Sequence, residues 1–96
     1  MNPYILAPAA QRDLRTLQAY MAQENIQVAR RVLAEIRAAC ARLADHPHLG
    51  HTREDLTAQP VHFWFVRTYD IIDRPETRPL EIVRIVHSAR DIPHLL

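Results

Sequence analysis

Apolar residues recur at helical spacing in the first half of the chain and at strand spacing in the second. Tyr4, Ile5 and Leu6 form a short apolar run after Pro3 and predict a brief strand. Pro8 suits the first turn of a helix, where a missing N–H leaves nothing unpaired. Ala10, Leu14, Leu17 and Met21 then repeat at helical intervals. Asn25 marks a break, because Asn tolerates a left-handed turn or caps the helix that follows. A second helix is predicted from about Ile26 to Asp45, with the stripe Ala29, Val32, Ile36, Cys40 (or Ala39) and Leu43. Arg30, Arg31, Arg37 and Arg42 fall mostly on its outer side. So short a joint forces the two helices into an antiparallel hairpin.

Pro47 and Gly50 end the second helix and open the loop HPHLGHTRED. The period then changes. Val61 to Val66 is aromatic and β-branched, as strands prefer. Tyr69 to Asp73 predicts the next strand, with Arg67 and Thr68 as the turn between them. A Pro-rich, charged loop, DRPETRP, leads to the clearest strand, Glu81 to His87. Strict alternation would put Ile82, Arg84 and Val86 on one face and Glu81, Val83, Ile85 and His87 on the other. The tail SARDIPHLL ends in Ile92, Leu95 and Leu96. The order β-α-α-β-β-β predicts a small antiparallel sheet with an N-terminal helical hairpin on one face, an α+β arrangement filling one domain over residues 1–96.

Trp64 has two readings. It fills the space beneath the hairpin, or it lies on the open face as a partner's anchor. Phe63 and Phe65 must point away from Trp64, so both faces of this strand are apolar. The face without helices needs cover, from a partner or from the chain's own ends.

Composition narrows the chemistry. A net charge of +1 does not mark a nucleic-acid or membrane binder. All 12 basic residues are Arg, which grips carboxylate or phosphate well and serves poorly as a general base. The single cysteine, Cys40, excludes an internal disulfide and reads as a small apolar filler. The start, MNPYILAPAA, lacks the pattern of a secretory leader, and no apolar run is long enough to span a membrane. The cytoplasm is the expectation. His46, His48 and His51 lie in one loop, but no Cys or clear carboxylate completes a ligand set. No metal and no cofactor is expected.

The opening YILAPAAQRDL, the helical ARRVLAEI, the loop PHLGHTREDL, the strand pair ending YDIIDRP and the closing EIVRIVHSARDI follow one another in order. Together they resemble the ParE toxins of the RelE/ParE superfamily along nearly the whole chain. The resemblance implies a toxin of a type II toxin–antitoxin system, used in plasmid stabilisation. It implies a cognate antitoxin, ParD-like or similar, encoded alongside, and a complex of two toxins with two antitoxins. It also implies DNA gyrase as the target, inhibited by binding rather than by catalysis. The residues expected to face the target are Arg84, His87, Arg90, Ile92, Leu95 and Leu96. Leu14, Leu17, Met21, Val32 and Trp64 are expected to meet the antitoxin.

Two other outcomes stay open. A RelE-like, ribosome-dependent messenger ribonuclease would use Arg67, Arg84 and Arg90 to hold a phosphate and His87 to move a proton. Against it, Lys is absent and Tyr4, Tyr20 and Tyr69 all lie outside the tail. A decayed, inactive toxin would bind its antitoxin and harm nothing. Asp73 motivates that reading, since it stands before Arg74 where the family pattern usually has an aromatic residue. Structural contacts are the competing role for the arginines: Arg84 bridges to Asp70, Asp73 or Glu81 across the sheet, and Arg90 and Asp91 each anchor the tail by ion pairs or hydrogen bonds to other partners.

Overall fold

The helices form where the apolar period is helical. In the computed structural model, which describes residues 3–89 and 92–96, α1 spans Pro8–Ala22 and α2 spans Ile26–Asp45. Pro8 occupies the first turn of α1. Asn25 caps α2, its side-chain oxygen accepting the backbone N–H groups of Gln27 and Val28 at 3.0 and 3.1 Å. Each helix turns its stripe inward: Ala10, Leu14 and Leu17 from α1, and Val32, Leu33, Ile36, Cys40 and Leu43 from α2.

Four strands make one sheet: β1 (Tyr4–Leu6), β2 (His62–Val66), β3 (Tyr69–Arg74) and β4 (Leu80–His87), in the order β1-β4-β3-β2. The strands β2, β3 and β4 are antiparallel neighbours. The first strand corrects the wholly antiparallel expectation, because β1 runs parallel to β4, Tyr4 opposite Leu80 and Leu6 opposite Ile82. Three apolar residues carry no signal of direction; α1 packing on β4 sets it. The last strand in the sequence therefore lies inside the sheet. A strand covered on both faces reads as a nearly unbroken apolar run, as LEIVRIVH does.

Alternation along β4 fails at one place. Asp73 lies opposite Ile82 but Ile72 lies opposite Arg84, so Val83 is an extra residue in the ladder. Ile82 and Ile85 both pack under the helices, whereas Val83 and Val86 pack on the other side. The expected grouping of Ile82 with Arg84 and Val86 is thus broken by a bulge.

The face away from the hairpin has its own core. Val61, Phe63, Ile72, Val86 and Ile92 are buried there, with Leu56, Val83, Leu95 and Leu96 packed against them. Ile92–Leu95 form a short helix, α3, that the sequence pattern did not reveal. The loop after α2 closes another side. His51 exchanges two backbone hydrogen bonds with Phe63, at 3.1 and 2.8 Å. Gly50 makes this approach possible: a Cβ there would lie 2.8 Å from the Cβ of His62 and 3.3 Å from the carbonyl of Phe63.

Candidate functional site

Because β1 stops at Leu6, β4 has no strand neighbour on that side beyond Ile82. A groove of about 450 Å³ opens there between α1 and the sheet. Asp13, Tyr20, Tyr69, Arg84 and His87 are among its lining residues. Asp13, on α1, does the work of the missing strand: its Oδ2 accepts the backbone N–H of Ile85 at 2.9 Å. The same carboxylate receives Arg84 through two bonds, Nε to Oδ2 at 2.8 Å and Nη2 to Oδ1 at 2.9 Å. The third guanidinium nitrogen of Arg84, Nη1, donates to the Leu95 carbonyl in α3 at 2.9 Å. Asp13 thereby raises the pKa of Arg84 further, outweighing the opposite effect of its partial burial. The partner of Arg84 is this helix carboxylate, not Asp70, Asp73 or Glu81; Glu81 pairs with Arg74 instead.

His87 is exposed at the end of β4, its ring edge-on to Tyr69 with centroids 5.6 Å apart. Its Nδ1 accepts the backbone N–H of Ala89 at 3.1 Å, so a neutral ring carries its proton on Nε2 and donates from there. Arg67 holds the tight turn before β3 with a left-handed backbone (φ 56°). It grips Glu35 of α2 through Nε and Nη2, at 3.0 and 2.6 Å, which holds the Glu35 carboxyl below its ordinary range. Arg67 and Arg84 thus each face a carboxylate. Arg90 lies outside the described residues. Of the expected tail residues, Ile92 is buried in the second core, and Leu95 and Leu96 are half-buried against it.

The residues expected to meet the antitoxin pack against the core beneath the hairpin. Leu14, Leu17 and Val32 are 7%, 7% and 1% exposed and belong to the core beneath the hairpin. The helical periodicity of their positions is that of a core face, and here the core takes them. Trp64 also packs under the helices, half-buried, as does Met21, whose sulfur receives the Tyr69 hydroxyl at 3.9 Å. The large apolar side chains that the hairpin leaves exposed are Tyr20, Ile26 and Val28. Asp13, Tyr20 and Tyr69 went unread in the sequence. Asp13 carried one signal, a carboxylate beside the apolar stripe of its helix.

Asp73 is fully buried on the helix-facing side of β3, in register with His62 on β2 and Ile82 on β4. Neither of its carboxylate oxygens has a hydrogen-bond partner, nor does Nδ1 of His62. Burial pushes the Asp73 carboxyl up to about 7. Cys40, buried on α2 nearby, is pushed up to about 12 by burial and, secondarily, by the Asp73 charge, so it is an inert thiol. Among the described residues, no three His, Cys, Asp or Glu side chains are placed to hold one metal ion. No helix among them is long and apolar enough to cross a membrane.

The fold agrees with a family comparison. The family model described as "ParE toxin of type II toxin-antitoxin system, parDE" matches residues 4–92, almost the whole chain. No curated protein matches the chain. The matched span takes in both helices, all four strands and the start of α3, so it is the complete α+β unit that carries the likeness. The chain belongs to the ParE toxins of type II toxin–antitoxin systems.

Proposed function

We propose that this toxin acts by binding rather than by cutting RNA, that DNA gyrase is its target, and that a cognate antitoxin encoded beside it neutralises it. Family membership supplies the toxin and its antitoxin partner. The observation that favours binding is the state of the arginines. A ribonuclease needs free cations facing a phosphate and a base to take the 2′-hydroxyl proton. Arg67 and Arg84 each have a carboxylate in two-pronged contact. His87, the candidate base, has its Nδ1 engaged by a backbone N–H.

The target-facing surface in this reading is the groove mouth and the tail beside it: His87 and the half-buried Leu95 and Leu96, with Arg84 behind them. Ile92 anchors that surface from within the core. The antitoxin covers the outward apolar residues of the hairpin, Tyr20, Ile26 and Val28, together with Met21. Partners of this kind lay an apolar segment over an exposed apolar face. A complex of two toxins and two antitoxins is part of the proposal.

The test is a supercoiling assay with purified gyrase, run beside ribosome-dependent messenger cleavage. Lost supercoiling with intact messenger is the expected result. Cut messenger with normal supercoiling would overturn the proposal and make His87 and the sheet arginines the catalytic candidates. Normal growth on induction without antitoxin, with neither effect in vitro, would mark an inactive member.

A further inference from the structure

We propose that Asp13 is a positioning residue that holds the C-terminal segment down on the sheet by way of Arg84. Three elements meet in one line of hydrogen bonds: Asp13 on α1, Arg84 on β4 and the Leu95 carbonyl on α3. The bulge at Val83 makes this line possible. It puts Arg84 opposite Ile72, on the tail side of the sheet, from where the guanidinium reaches the open edge and Asp13. Both residues of the pair are mostly shielded, with side chains 18% and 14% exposed. A charged hydrogen bond in such surroundings is stronger than one in open water.

Gln59 also donates to the Leu96 carbonyl, at 3.0 Å, while Ile92 is buried and Leu95 and Leu96 pack beside it. A four-residue helix is too short to keep its shape without tertiary contacts. Arg84 is therefore a charged polar link between α3 and β4, and Asp13 sets its direction. Without the carboxylate, the guanidinium would turn toward solvent and release the Leu95 carbonyl. Helix α1 and the tail are coupled through this pair, so a partner that shifts α1 shifts the tail as well. The consequence for the target rests on the gyrase reading above; the coupling itself does not.

Asp13→Asn separates the two tasks of the carboxylate. The amide oxygen can still accept the Ile85 N–H, but the amide nitrogen now faces the guanidinium. The readout is backbone amide exchange in the full chain at Leu95 and Leu96, compared with amides in the middle of α2. Asp13→Asn should speed exchange at the tail by about tenfold, the worth of one charge-assisted hydrogen bond, and leave α2 unchanged. Arg84→Gln should do the same, and the double variant should add nothing further. Unchanged tail exchange in both single variants would overturn the proposal. Equal acceleration at the tail and in α2 would also overturn it, since that reports general destabilisation. If the native protein inhibits gyrase, Asp13→Asn should weaken inhibition while antitoxin still binds. A native protein that leaves gyrase untouched would sink the target reading alone, and tail exchange would still decide the role of Asp13.

Discussion

Asp73 is a carboxyl group placed where the fold favours an apolar one. It lies under α2 with both oxygens unpaired, and burial pushes it up to about 7 from its ordinary value of 3.8. A carboxyl raised in the folded state binds its proton more tightly there than in the unfolded chain. Its penalty is therefore absent below the unfolded value, grows as pH rises, and is complete above about 7. The full penalty is on the order of 4 kcal/mol. Chemical denaturation should show the protein more stable near about pH 5 than near about pH 8, in contrast to the usual effect of salt-bridged acids. Asp73→Asn should flatten that dependence and match or exceed the native protein at the higher pH. An unchanged pH profile in the variant would show that other groups set it. The sequence marked Asp73 as a departure from an aromatic position, but its burial could not be read there, because an acid at a strand end is ordinarily solvated.

Among the elements, the ones with a clear period were legible to within a few residues. Both helices begin and end where Pro8, Asn25 and Asp45 suggested. Misreadings fell where a local rule met a long-range contact. Strict alternation put Arg84 with Ile82, and one extra residue, Val83, undid that grouping. Leu14, Leu17 and Val32 belong to the core under the hairpin, and an apolar stripe shows that a helix face is covered without showing by what. The pairing of Arg84 with Asp13 spans 71 residues and leaves no local trace. The loop after α2 makes a sharper case. Its glycine passes so close to β2 that a methyl group would meet the Cβ of His62. Gly50→Ala should force the loop off Phe63 and lower stability by about 1–3 kcal/mol, as overpacking does. Thermal melting would measure it, and faster amide exchange at His51 and Phe63 would locate it. At the start of α2, Asn25→Ala should remove the two side-chain capping bonds and lower stability by about 1 kcal/mol, read by the same melts.

For the molecule as a whole, the α+β class and the hairpin over a sheet were legible, and the second core was not. The apolar face of β2 that suggested a missing partner is largely closed by the chain itself, through Ile92, Leu95, Leu96 and Leu56. Phe65 remains 52% exposed on that strand. The order β1-β4-β3-β2 also ties the first strand to the last, Tyr4 through Leu6 against Leu80 through Ile82. Chains ending just before Leu80 should lack a cooperative melt, because β1 loses the strand it pairs with, β3 loses one of its two neighbours and α1 loses the strand it packs on. Circular dichroism on such a fragment would show it, and a sharp transition would contradict it. The ribosome makes the chain from its N-terminus, and domains fold as units once their parts have emerged. Here the strand that joins the rest is made after both long helices and the other three strands. An interrupted message or a stalled ribosome therefore leaves a fragment with no complete sheet and no groove, and the cell meets the whole fold or none of it.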